Sequence, residues 1–484
     1  MNPHASRRGS VVGQAEAGQM PGGGRGEGRR VRDEGGPSAA NAMTRRSFVT
    51  CSALMAGVLA GISGCSDGSK TDKKTKFFHR CPSWPAPGSP KTPVWPVSFP
   101  GFQSTLSLSG SWLIGGGSDQ AIWLREARTG RLRWRKVAEK VVDLPNGGDL
   151  RHPYVTVASK GQILAGGGDG YLADEVTALC AADGKQMWRQ RIPGGGVGEI
   201  YASGEFVFVG TSEKVFALSA QTGKMRWQLE VPETARLSMH GDMLICTHTG
   251  VEPFGVMGLD RETGKVRWHE KFSDASSVEV AVLDDMVHIV VARFAEELQE
   301  SGARVFVTAL GEVCTLLADS GRLRWRQAAM LTTGSLGKEG FLYMQTDDQL
   351  VALRSGTGEV AWVVQFSELD GNSQLEIHDE ILFATRSNLS GHEPSLRALD
   401  PVTGEERWRA KDEKLSTIMP GPPGMILANP EGDKVFAIDT MGGEEIWSSP
   451  LRGPVRAVSG DAIYCHDGEE ISVYDVTTGD PFYG

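Results

Sequence analysis

The sequence predicts an all-β chain, a single β-propeller of four-stranded antiparallel blades with eight blades expected and seven to nine allowed. Three observations carry this. The spacing Gly-x-x-x-Trp recurs eight times, ending at Trp134, Trp188, Trp227, Trp268, Trp325, Trp362, Trp408 and Trp447. The copies lie about 45 residues apart, within the period of repeat arrays and close to the length of one propeller blade. The 484 residues include 62 glycines and 40% hydrophobic residues, so the chain has both the turns and the apolar surface that a large β-fold needs.

Residues 1–42 are rich in Gly, Arg, Ala and Ser and nearly lack large apolar side chains, a composition that cannot offset chain entropy by burial. They are expected to be disordered, or to be an over-extended reading ahead of a start at Met43. Residues 43–64 have the grammar of an export signal: a basic segment with Arg45 and Arg46, an apolar run from Val49 to Ile62, then Ile62-Ser63-Gly64-Cys65. The arginine pair followed by Ser47-Phe48 resembles a twin-arginine signal, and the last four residues resemble the lipobox of bacterial lipoproteins. That resemblance implies acylation of Cys65, which becomes the first mature residue. Residues 65–92, with Lys70, Lys73, Lys74, Lys76 and several prolines, read as a flexible tether from lipid to domain.

The propeller is assigned to residues 93–484. Pro93-Val-Trp-Pro-Val-Ser98 reads as an isolated strand that closes the ring by joining the last blade. Each following unit repeats one grammar, as in Glu205–Gly210 and Lys214–Ser219 (two alternating strands), the turn Ala220–Gly223, and the strand Lys224–Leu229. A Trp at a fixed depth in one strand can wedge between adjacent blades, so these eight tryptophans are read as structural. A ninth turn, Gly479-Asp-Pro-Phe-Tyr483, is degenerate and leaves one sheet more than the expected eight.

The segments Ala398–Ala410 (ALDPVTGEERWRA), Ala217–Leu229 (ALSAQTGKMRWQL) and Gly258–Glu270 (GLDRETGKVRWHE) resemble repeats of the pyrroloquinoline-quinone (PQQ)-like β-propeller superfamily. For the superfamily's alcohol dehydrogenases that resemblance implies a disulfide between adjacent cysteines over the quinone, a Ca²⁺ held by acidic and amide side chains, and an Asp base. No two cysteines are adjacent here. Apart from Cys51 in the signal and Cys65, the cysteines are Cys81, Cys180, Cys246, Cys314 and Cys465, read mostly as small buried strand residues, with Cys81 a candidate exposed thiol. Cys246 and His248 alternate onto one strand face, but two ligands fall short of a zinc set. No cofactor, metal or catalytic residue is assigned, and the chain is read as not an enzyme.

The formal charge of −10 opposes binding to nucleic acid. What remains is surface. The loops after each unit's first strand vary most, and variable loops on a repeated frame are where binding usually lives. Arg293–Gly302 reads as a short charged hairpin or helix, giving Glu296, Glu297 and Glu300 as candidate contacts. Arg386, Asn388 and His392 come from another such loop. An exported, lipid-anchored propeller of this type resembles the lipoprotein subunit of the bacterial outer-membrane β-barrel assembly machinery. The expectation is a monomeric, non-enzymatic interaction scaffold in the cell envelope, lipid-anchored on the periplasmic side of the outer membrane and bound to a protein partner. The inner membrane and the cell surface stay open as locations. Two alternatives stay open for function: a periplasmic quinoprotein-like dehydrogenase or a propeller binding a small ligand or sugar, and a surface adhesion or sensor lipoprotein.

Overall fold

The computed structural model describes residues 97–98 and the strands and most turns between 103 and 482. Residues 1–92, and with them Arg45, Arg46, Cys65 and Cys81, lie outside the described residues. Every regular element described is a β-strand, and the strands form nine four-stranded sheets.

Eight sheets are meanders of four consecutive strands. In the third they are Val197–Ser203, Phe206–Thr211, Lys214–Ser219 and Met225–Glu230. The first strands of most successive blades lie against one another, and the first strand of blade 1, Gln103–Ser109, lies against that of blade 2, Pro153–Val157, and also against Val455–Ser459 of blade 9. The ring is thus closed, with first strands innermost and fourth strands outermost. The ninth sheet has only three strands from its own segment, Val455–Ser459, Ala462–His466 and Glu470–Asp475. Its outer strand is Val97–Ser98, antiparallel to the third, with Val97 opposite Ile471 and Ser98 opposite Glu470. The expected closing strand is therefore present.

The blade number is corrected from the expected eight to nine. The reason lies in the turn that follows the third strand of each blade. Nine glycines (130, 184, 223, 264, 321, 358, 404, 443 and 479) hold φ between 65° and 76°. Each donates its N–H to the carbonyl four residues earlier at 2.8–3.0 Å. Gly479 makes this turn as fully as the others, so its degenerate sequence still completes a blade.

Each tryptophan of the repeat belongs to the joint between its own blade and the next. All eight indole N–H groups donate to a carbonyl in the next blade's turn at 2.7–3.0 Å, from Trp134 to Ala181 through Trp447 to Val476. The ring lies over the next blade's turn glycine so closely that a Cβ there would stand 2.4–2.7 Å from the indole. Opposite each Trp the third strand carries a small residue in six of the eight blades, as in Ala217 opposite Trp227, and a bulge follows at once, shifting the register between Ala217 and Leu218. The two middle strands are buried on both faces, as Phe206–Thr211 is along its whole length, whereas the outer strand Met225–Glu230 exposes alternate residues.

Reading each unit as a triplet missed the innermost strand and shifted the loops by one. The variable loops lie between the second and third strands of a blade. Cys246, Cys314 and Cys465 are buried free thiols as expected, but Cys180, also buried, is disulfide-bonded.

Candidate functional site

The largest departure from the repeat is in blade 5. Its second and third strands, Met286–Leu298 and Arg304–Leu317, are about twice the usual length and pair antiparallel from Met286–Leu317 out to Leu298–Arg304. The first strand, Ser277–Leu283, follows the second only to Ala292, and the fourth, Leu323–Ala329, joins the third only from Gly311. The outer part, 293–298 with 304–310, is therefore a two-stranded ribbon about 20 Å long. Among the described residues no strand pairs with either of its edges. Of the two forms expected for Arg293–Gly302, the hairpin is the one observed. Glu296 stands opposite Phe306 and Glu297 opposite Val305.

The ribbon's base is clamped to the neighbouring blade by a chain of charges. Arg293 donates to Glu312 at 2.7 Å, Glu312 pairs with Arg326 at 3.5 Å, and Arg326 donates to Glu270 in the outer strand of blade 4. These pairs are partly exposed, so each adds little stability. Beside Arg326, burial pushes the Cys314 thiol up to about 12, which keeps it an inert thiol.

The other surface candidates do not converge with this ribbon. Arg386 ends the strand Ile381–Arg386 two blades away, opposite Ser373. Glu300, Asn388 and His392 lie outside the described residues.

The innermost strands carry carboxyls that sequence reasoning missed, because a charge on an amphipathic strand carries no mark of which rim it faces. Burial raises Glu199 to about 7, opposed by the Leu237 N–H and the charge of Arg236. Burial likewise raises Glu376 to about 7, opposed by the Ile377 N–H and Lys338. One Glu199 oxygen is buried with no hydrogen-bond partner. An unfolded glutamate ionises near 4.5, so between that pH and about 7 the folded chain keeps protons that the unfolded chain loses. This contribution to stability is complete below 4.5 and is lost as pH rises through 7. Glu199→Gln should therefore match wild type in thermal melting at pH 5 and exceed it at pH 8, by about 1–2 kcal/mol after allowance for partial exposure. An equal offset at both pH values would contradict the assignment. His288 behaves oppositely. It is fully buried, bonded through Nδ1 to Thr315 Oγ1 at 2.7 Å and pushed by burial down to about 4, so its contribution is present above 6.5 and lost as pH falls through 4.

Two features of the superfamily's dehydrogenases can be checked directly. The adjacent-cysteine pair is missing from the sequence, and among the described residues no three His, Cys, Asp or Glu side chains come together. Cys246 and His248 share a face, as expected. Cys246 is buried in the core between blades 3 and 4, while His248 turns to His269.

A family model described as outer membrane protein assembly factor BamB matches residues 118–364 and 392–481. No curated protein matches the chain. Among solved structures, BamB from Moraxella catarrhalis is 18% identical, with 66% of this chain and 92% of that one covered and a TM-score of 0.44. A europium-containing methanol dehydrogenase is 13% identical over 79% of this chain and 84% of its own, also at 0.44. The computationally designed protein Ika8 is 11% identical over 80% and 98%, at 0.46. The family model spans well over half of the chain, and its two matched segments include all nine turn glycines. The chain belongs to the family of the outer membrane protein assembly factor BamB.

Proposed function

We propose that this protein is a non-enzymatic interaction scaffold of the cell envelope that takes part in the assembly of outer-membrane proteins. Family membership is the observation that carries the reading. The blade 5 ribbon gives it a means: a two-stranded ribbon whose edges pair with no strand among the described residues offers its backbone N–H and C=O groups to a strand of another protein, and its alternate side chains supply selectivity. The frame beneath does not need to move, because the ladder of tryptophans and glycines fixes each blade to the next.

The same proposal includes export by the Arg45-Arg46 signal, acylation at Cys65 and a location on the periplasmic side of the outer membrane. The disulfide at Cys180 supports export, since such bonds persist in oxidising compartments. The test is affinity isolation of the C-terminally tagged lipoprotein from native membranes, beside Cys65→Ala and a variant in which residues 294–308 are replaced by a two-residue turn. Wild type should recover the outer-membrane insertase. Cys65→Ala should weaken recovery, and the shortened ribbon should lose it while the melting temperature holds. Full recovery with the ribbon shortened would contradict the role given to it, and recovery of a bound small molecule without any insertase would favour a ligand-binding propeller.

A further inference from the structure

His248 and His269 meet across a strand that neither belongs to. His248 ends the second strand of blade 4, Met243–His248, and stands opposite Gly255 of the third. His269 lies in the fourth strand, Val266–Phe272, opposite Met257 of that same third strand. Both histidines are on the blade face that carries Cys246 and Met257. The His248 imidazole crosses the third strand over Gly255, where a Cβ would stand 2.5 Å from its Nε2, so this route needs glycine.

The two Nε2 atoms are 2.9 Å apart, with ring centroids 5.1 Å apart and an interplanar angle of 69°. Burial pushes His248 down to about 4 and also lowers His269, with the Lys271 ammonium acting in the same direction on both. At neutral pH each ring is uncharged and has one nitrogen lone pair. In the metal-free protein one N–H···N bond accounts for the contact.

The separation also fits a second arrangement. With metal–nitrogen bonds of about 2.05 Å, nitrogens 2.9 Å apart subtend about 90° at a shared ion, whereas a tetrahedral angle would need about 3.3 Å. A right angle is that of neighbouring positions in tetragonal coordination, the geometry of Cu²⁺ and Ni²⁺. We propose that His248 and His269 are the protein ligands of a site for a tetragonal divalent transition-metal ion, Cu²⁺ above the others, completed by solvent oxygens. Imidazole suits such ions, and Cu²⁺ stands highest in the general order of affinities. His269 is exposed, which gives the ion and its waters access and lets that ring rotate to aim its lone pair. Lys271, opposite Gly255, weakens the site by its charge. Cys246 contributes nothing, its thiol being packed with Phe208, Leu237 and Met257. The inference is independent of the scaffold reading.

The test uses the full-length protein titrated with Cu²⁺, read by calorimetry and by electron paramagnetic resonance at one equivalent. Wild type should bind one Cu²⁺ with hyperfine splitting from two imidazole nitrogens, and its melting temperature should rise with the ion. His269→Ala and His269→Asn change an exposed side chain and, without metal, should stay folded and lose only the one hydrogen bond to His248. Both should lose at least tenfold in affinity and show no two-nitrogen pattern. Unchanged affinity in both variants, or a wild-type spectrum without two equivalent nitrogens, would overturn the proposal and leave the histidine pair as a hydrogen bond alone. His248→Ala serves only as a supporting variant, because that ring is nearly fully buried.

Discussion

Trp227→Ala is expected to destabilise the ring by about 3–5 kcal/mol. The indole is 9% exposed, packs with Phe208 at a centroid distance of 6.0 Å, and donates to the Arg261 carbonyl at 2.8 Å. Its removal leaves a cavity between blades 3 and 4 and a carbonyl without its donor. Gly264→Ala attacks the same joint from the other side. The new Cβ would stand 2.6 Å from the Trp227 ring, at a φ of 69° that itself costs an alanine about 1–2 kcal/mol. The double variant should cost clearly less than the sum of the two, since removing the indole relieves the overlap and leaves only the backbone strain. Glu297→Ala, in the ribbon and away from every joint, should stay within about 0.5 kcal/mol of wild type. Additive losses at positions 227 and 264, or equal losses at 227 and 297, would contradict the blade register. Chemical denaturation followed by tryptophan fluorescence and circular dichroism makes all these comparisons.

Gly115→Val is expected to open the ring at its seam. Gly115 stands opposite Trp123 in blade 1, and a Cβ there would lie 2.0 Å from the indole Cζ2. Trp123 is 1% exposed and cannot retreat, because it is packed among Leu113, Ala127, Tyr464, Ile471 and Val473 with Val97 beside them. Those side chains come from the first blade, the last blade and the closing strand, so the overlap falls where the two ends of the propeller are joined. The loss should exceed about 3 kcal/mol, and added Trp123→Leu should recover part of it. Gly110→Ala is the control: its Cβ would meet nothing within 4 Å, so only its φ of 55° opposes the change. Limited proteolysis should cut Gly115→Val first near the seam. Cleavage no faster than in Gly110→Ala would contradict this closure.

The parts of the fold that repeat were legible, because a repeat states its packing solution many times over. Gly-x-x-x-Trp located the outer strands of eight blades, and Pro93–Ser98 located the ninth, the strand that closes the ring. The ninth blade was visible in Gly479 but was outweighed by the usual blade number, although the turn chemistry does not depend on a tryptophan following it. The innermost strands were missed because they carry charges such as Glu199, Arg236 and Glu376 among half-buried neighbours, so their alternation is weak. The clamp from Arg293 through Glu312 and Arg326 to Glu270 joins residues up to 56 positions apart. The pair of His248 and His269 depends on a glycine in the strand between them. Neither has a signature within one segment, and only the register of the sheets brings the residues together.

The most direct test is photo-crosslinking in intact cells. A photoreactive residue at Phe306 in the ribbon is compared with one at Glu262, in a turn on the outer side of blade 4. The account predicts an adduct with an outer-membrane assembly β-barrel from position 306, no such adduct from 262, and loss of the adduct when Cys65 is replaced by alanine. Equal adducts from both positions, or none from 306 while 262 captures the barrel, would contradict the role assigned to the ribbon.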